Sequence, residues 1–213
     1  FAFGGTEANI ISMILPWLET QSTLDSARQL LGMKLSLGAC SGLIVETEAY
    51  LGARDQAAHA FNHRHTTRNH SLFLAAGTVY VYRMRQYCLL NIVTQPVDVP
   101  ECILIRALEP ISGLATMQTR RKQIGIGLTN GPGKLCQALA IDKQLDGTVL
   151  NQSGLSLAPT DHRPRNIAVG PRIGIPNKEP WTSAPLRFYV AGNPFVSKIP
   201  RRDQDLEMRG WQS

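Results

Sequence analysis

The chain has 213 residues, 43% of them hydrophobic and 18% charged, with 22 Lys and Arg against 16 Asp and Glu. Those values fit one globular domain that buries roughly 70% of its unfolded surface, and they exclude a low-complexity or disordered chain. No run approaches the ~18 apolar residues of a membrane span, and the net charge of +6 favours a polyanionic partner without naming it.

Residues 1–15 read as a loose N-terminal arm, and the start at Phe1 rather than at a methionine suggests that a further piece precedes it. The run Ile10 to Leu15 is short and has no basic residue before it, so it is not a secretory signal. Ser22-Thr23-Leu24-Asp25 fits a capping box, and Leu24, Ala27, Leu30 and Leu31 form the apolar stripe of a helix ending at Gly32. Two strands follow, Lys34 to Leu37 and Gly42 to Tyr50. Period two places Ile44, Glu46, Glu48 and Tyr50 on one face of the second strand. Two acids and a ring on one face read either as a half-exposed strand with a wet side or as the wall of a site.

The turn Leu51 to Asp55 leads into Ala57-Ala58-His59 and a polar run, Asn62 to His70, with two arginines and three histidines. A solvated loop is the ordinary reading of such a run. A metal held by these histidines with Glu46 or Glu48 is the alternative, but the helical HExxH spacing is missing and no metal is expected. The four cysteines are far apart and form no CxxC pair, so they are expected to be reduced, mostly buried thiols of an intracellular protein.

Gly77 to Arg85 is a further strand, with Tyr80, Tyr82 and Met84 on one face, as core packing or as a platform for flat rings. Cys102 to Leu108 is an apolar strand interrupted by Arg106, a charge that needs a partner if buried, with Glu46 or Glu48 as candidates. Ser112 to Lys122 reads as a helix with a solvated basic end. Asn130-Gly131-Pro132-Gly133-Lys134 enters another helix, and free N–H groups at such a start bind phosphate. Residues 143–165 look loop-rich. Short strands are expected at Asn166 to Val169, Arg172 to Ile175 and Leu186 to Val190, and residues 198–213 as a frayed tail. These features suit an enzyme acting on an aromatic group attached to a polyanion. They do not name the reaction.

A resemblance does. Ile44-Val45-Glu46-Thr47-Glu48-Ala49-Tyr50-Leu51-Gly52, Ala57-Ala58-His59, Thr67-Arg68-Asn69, Gly77-Thr78-Val79-Tyr80-Val81-Tyr82, Arg106-Ala107-Leu108-Glu109-Pro110, Gly131 to Leu139 and Arg187-Phe188-Tyr189-Val190 stand in the order and spacing of the alkyladenine (3-methyladenine) DNA glycosylases. The likeness runs from about Leu24 to Ser197. It implies an α+β fold: one mixed domain over residues 1–213 with a curved, largely antiparallel β-sheet, surrounding helices and a protruding DNA-binding β-hairpin. It also implies minor-groove binding and hydrolysis of the N-glycosidic bond of damaged purines (3-methyladenine, hypoxanthine or ethenoadenine in type) flipped out of double-stranded DNA.

Carried over residue by residue, the resemblance makes Glu48 the base that activates water and Arg106 the residue that helps hold that water. Tyr50, His59, Tyr82 and Tyr80 match the walls of the base pocket, and Asn91 a residue that hinders the amine of guanine. Arg64, Arg68 and Lys134, with Gly131 and Gly133, fall where the family contacts phosphates. The family continues its YVY block with two residues and a tyrosine that wedges into the minor groove. Here Arg83-Met84-Arg85-Gln86-Tyr87 follows, one residue shorter before Asn91. Arg85 takes the wedge position, with Met84 or Tyr87 as alternatives. The expectation is a monomeric, monofunctional enzyme without cofactor or metal, in the cytoplasm or nucleoid of a bacterium or the nucleus or a DNA-containing organelle of a eukaryote. The competing expectation is a lesion-binding protein whose altered hairpin impairs turnover.

Overall fold

The computed structural model describes residues 17–213, so the expected N-terminal arm lies outside the described residues. Helix α1 (Thr23–Gln29) starts where the capping box places it: the Ser22 hydroxyl accepts from the Asp25 amide, with Asp25 in the positive first turn. Its inner face docks on the next strands, and the Thr47 hydroxyl donates to the Ala27 carbonyl at 2.8 Å.

The sheet has the path β3-β4-β5-β2-β1-β6, and every pairing in it is antiparallel. Its strands are β1 (Lys34–Leu37), β2 (Cys40–Tyr50), β3 (Val79–Met84), β4 (Tyr87–Val93), β5 (Cys102–Ser112) and β6 (Leu155–Ala158). β5 takes one edge of β2 along its length. The other edge is shared by β1 near its start and by β8 (Arg187–Val190) at Glu46–Glu48, with β7 (Ile167–Gly170) outside β8. The acidic end of β2 is therefore covered on both edges, and both of its faces are buried up to Tyr50. The wet face is not there. A strand flanked on both sides and packed above and below needs internal partners for its acids. Two of the three register shifts between β2 and β5 leave Val45 and Arg106 outside the regular pairing, and such irregularities re-aim a side chain.

Helices α2 (Leu114–Arg121) and α3 (Pro132–Leu139) pack on each other, and α3 lies against β4 and β5. The basic end of α2 is not simply solvated: Arg120 donates to the Ala138 carbonyl and Arg121 to the Leu128 and Gly127 carbonyls. Leu30, Leu35, Ile44, Ile105, Leu135 and Phe188 are among the residues of the main core. A second cluster, built from Ala60, Leu72, Phe73, Tyr80, Val93 and Cys102, supports Tyr50 and Tyr82.

Three further expectations change. Arg172 to Ile175 is a turn, not a strand, because its polar groups face β2 and the segment after Tyr50 instead of a strand neighbour. The loop-rich stretch contains β6, whose partner β1 is remote in sequence. The tail does not fray at its end: Trp211 is buried, its indole N–H donates to Glu109 at 2.9 Å, and Arg209 pairs with the same carboxylate at 2.8 Å.

β3 and β4 form a hairpin closed by Arg85-Gln86, with Arg85 at φ +55° as a tight two-residue turn requires. Near its base, β4 is held by β5 through Asn91–Val93. The outer edge of β3 is covered by residues 143–148: the Val79 amide donates to Thr148, the Val81 amide to Asp146, and Lys143 to the Val81 carbonyl. Such cover blunts an edge strand. Beyond Tyr82 the hairpin reaches an exposed tip carrying Arg83, Met84, Arg85, Gln86 and Tyr87. Among the described residues no helix is long and apolar enough to cross a membrane.

Candidate active site

Several of the expected site residues line one cavity of about 200 Å³. That is smaller than the ~300–1,000 Å³ clefts that take drug-sized ligands, and has room for a single flat ring. Tyr50, His59, Tyr80, Tyr82, Asn91 and Arg106 all line it, and so does Met84 of the hairpin. Several elements build the walls, with β5 contributing Cys102, Leu104 and Arg106. The end of β2 and the following loop supply Tyr50 and His59, the hairpin supplies Tyr80 and Tyr82, and the turn at 173–175 supplies Ile173, Gly174 and Ile175.

Glu48 sits one layer behind this wall and is fully buried. Its Oε2 accepts the Tyr50 hydroxyl at 3.0 Å, and its Oε1 accepts the Ile173 amide at 2.7 Å and faces Arg106 at 3.2 Å. Burial raises the Glu48 pKa; Arg106, the Ile173 amide and Tyr50 pull it down, and Glu46 adds to the rise. The result is a carboxylate more basic than usual beside a cation that touches both it and the cavity. Burial also raises Tyr50 well above an ordinary phenol, so its hydroxyl keeps its proton and donates.

Glu46 is the second acid, and its partners differ. Oε1 accepts Arg106 Nε at 3.2 Å, Arg187 Nε at 2.6 Å and the Ser197 hydroxyl at 2.8 Å, while Oε2 accepts the Ser197 amide at 2.8 Å. The lone arginine of the apolar strand β5 therefore bridges both acids. These four contacts saturate Glu46.

His59 lies against the Tyr82 ring at 3.9 Å between centroids, and its Nδ1 meets the Tyr80 hydroxyl at 2.8 Å. Burial, with Arg68 nearby, lowers the His59 pKa to about 4. The buried Tyr80 hydroxyl is raised by its own burial and has no other acceptor among the described residues. It therefore donates to Nδ1, and the neutral imidazole carries its proton on Nε2. The Asn91 amide is tied to the Tyr80 and Leu89 carbonyls at 3.1 and 3.2 Å, so its orientation is fixed.

The basic residues surround this pocket unequally. Arg64 and Lys134 are exposed, and Lys134 bonds Asn130 at 2.7 Å. Arg68 is less free than a phosphate contact would be. Its guanidinium lies 4.9 Å over the Tyr82 ring and donates to the Arg83 carbonyl at 3.1 Å, which fastens the polar loop to the hairpin. Gly133 has a packing reason to be glycine, since a Cβ there would stand 3.1–3.2 Å from the Tyr87 side chain. That contact docks Tyr87 at the start of α3 and leaves Arg85 and Met84 as the freer tip residues. Gly131 is in extended backbone that any residue adopts, under the Lys134 stem.

Sequence reasoning missed Asp55, Arg172, Ile173, Arg187 and Ser197 as parts of the site. The signals for them in the sequence are two arginines in short strand-like stretches, Arg172 to Ile175 and Leu186 to Val190, whose buried partners lie far away along the chain. Among the described residues no three His, Cys, Asp or Glu side chains gather as a metal site requires.

Comparison with known proteins bears on what this cavity is for. A protein from Lactiplantibacillus plantarum is 54% identical over 202 residues, covering 92% of this chain and 97% of its own length. One from Enterococcus faecalis is 46% identical, covering 91% and 87%, and one from Staphylococcus haemolyticus 47%, covering 86% and 94%. All three are provisionally named 3-methyladenine DNA glycosylases. Residues 17–194 match the family model described as methylpurine-DNA glycosylase, and the chain belongs to that family.

Proposed function

We propose that the chain excises alkylated or deaminated purines from double-stranded DNA with an activated water and without a strand-cleaving lyase step. The observation that carries this reading is Glu48. It is a buried, raised-pKa carboxylate behind an aromatic cavity, in contact with an arginine that also lines that cavity. A damaged purine flipped out of the duplex stacks on Tyr50 from one side and on His59 with Tyr82 from the other. An electron-poor or cationic ring gains more from these faces than a normal base does.

As the bond from the sugar carbon to the base nitrogen stretches, positive charge grows on the sugar, and a carboxylate stabilises it. A water held against Arg106 adds its oxygen to that carbon. Its proton passes to Glu48, and the bonding pair leaves with the base. Of the two carboxylate oxygens, Oε1 already meets Ile173 and Arg106, whereas Oε2 meets only Tyr50. Oε2 is the oxygen left to take the proton. Arg64 and Lys134 hold phosphates, and the hairpin tip, led by Arg85, fills the space the base leaves. The protein acts as a monomer on its DNA.

The test is release of hypoxanthine or 3-methyladenine from a lesion-bearing duplex. Wild-type protein should release the base and Glu48→Gln should not. Lesion binding without release by wild type establishes the lesion-binding protein instead.

A further inference from the structure

A second buried ion pair lies beside the site, and nothing above gives it a role. Asp55 and Arg172 are both fully buried and meet side by side, with Arg172 Nη1 to Asp55 Oδ2 at 2.5 Å and Nη2 to Oδ1 at 2.9 Å. The carboxylate also accepts the Leu51 and Ala57 amides at 3.1 and 3.0 Å. The guanidinium also donates to the Ala49 carbonyl at 3.1 Å and lies 4.5 Å over the Tyr50 ring. The pair therefore ties the loop that carries His59 to the turn that begins at Ile173, across the end of β2.

Burying two charges is costly, and such pairs are weak devices for stability. What this pair does hold is geometry at Glu48. Ile173 follows Arg172 directly, and its amide is the closest donor to Glu48 Oε1, at 2.7 Å. Tyr50 sits between Arg172 and Glu48, its ring under the guanidinium and its hydroxyl on Oε2 at 3.0 Å. Both non-arginine donors to Glu48 are thus set by Arg172, one through the chain and one through the ring.

We propose that Arg172, locked by Asp55, is a positioning residue that holds the Ile173 amide on Oε1 and the Tyr50 hydroxyl on Oε2 of Glu48, leaving the second lone pair of Oε2 to take the proton from water. This inference rests on the glycosylase reading of the same cavity. The groups facing Glu48 are Arg106 from β5, Tyr50 and Glu46 on β2, Arg187 opposite it on β8, and Ile173 from the turn. Arg106, the Ile173 amide and Tyr50 favour the ionised carboxylate, and Glu46 opposes it. Loosening the turn removes one favourable donor while leaving Arg106 and Glu46 in place. The carboxylate then protonates at higher pH.

The experiment is single-turnover release of hypoxanthine from duplex DNA against pH, for wild type, Arg172→Lys and Asp55→Asn. Misplacing a reacting group by about 1 Å costs on the order of 10²-fold, so the variants should lose about that much at neutral pH. The acid limb of their profiles should also move to higher pH, a shift that mere loss of fold does not produce. Variants that release base at the wild-type rate with an unmoved acid limb overturn the proposal. Wild type that releases no base instead overturns the glycosylase reading. Should both variants fail to fold, the unaltered protein answers by NMR. The Ile173 amide resonance should titrate along the acid limb of the wild-type rate, and that titration should vanish in Glu48→Gln. An Ile173 amide that does not move overturns the assignment.

Discussion

Glu46→Gln separates support from chemistry in a site with two adjacent acids. The substitution keeps shape and removes one charge from a fully buried position where two arginines and Ser197 converge. Arg106 keeps Glu48 as a partner, but Arg187 has no second carboxylate among the described residues and its side chain is only 14% exposed. Leaving a buried charge uncompensated costs about 3–5 kcal/mol. The lower end, about 3 kcal/mol, applies because Arg106 stays paired and Arg187 reaches some solvent. For a domain of this size each kcal/mol moves Tm by about 2–4 °C, so a fall of roughly 6–12 °C is expected at pH 7. Calorimetry gives the shift. Base release at 20 °C, where the variant is folded, should stay within a few-fold of wild type. An unchanged Tm, or a wild-type Tm with excision abolished, would refute the division of labour between Glu46 and Glu48.

Glu48→Gln should lower single-turnover excision by about 10²–10⁴-fold, the usual share of a general base, as measured by base release. Because burial raises the pKa of Glu48 in the folded state, its ionised form costs stability above the ordinary carboxylate pKa and none below it. The glutamine variant should therefore be at least as stable as wild type at pH 7, with the gap closing as pH falls through the raised pKa of Glu48 and gone below about 4.5. A variant less stable at pH 7 than at pH 4, relative to wild type, contradicts that sign. For the same reason wild-type excision should fail on the acid side at a pH above that of an unperturbed glutamate, which a pH–rate profile reads directly. Lys134→Ala should flatten the slope of log affinity against log salt by about one, and an unchanged slope removes Lys134 from the phosphate contacts. Arg85→Ala should reduce flipping, followed by 2-aminopurine fluorescence beside the lesion. Unchanged flipping excludes Arg85 as the wedge.

The parts of the site that could be read from the sequence are those where local period and chemistry coincide. Alternation along β2 put Glu46, Glu48 and Tyr50 on one face, and Arg106 stood out as the only charge in an apolar strand. That an arginine in such a run needs an acid is enough to pair it with β2, and the structure shows it bridging both acids. What could not be read is the environment that makes the acids useful. The Ser197 amide lies 151 positions from Glu46 and the Ile173 amide 125 positions from Glu48. A backbone N–H leaves no mark in residue type. Arg172 to Ile175 reads as a short strand because Ile and Gly alternate, and only the buried partner Asp55 shows otherwise. Trp211 and Glu109 likewise anchor the tail across 102 positions, beyond the reach of any local pattern.

The covered edge of β3 has a mechanical consequence. Residues 143–148 grip that strand only as far as Val81, and β5 grips β4 only from Asn91 onward. Past those pairings the hairpin is tied by Arg68 to the Arg83 carbonyl and by Tyr87 packed on Gly133, so Tyr82 is the first residue beyond the main-chain clamp. A load on the tip at Arg85 is carried back through these side-chain ties to that clamp, where Tyr82 stacks on His59. Tip and pocket wall are one lever. Stiffening the root should therefore change how the pocket receives a base even when no residue that touches the base is altered.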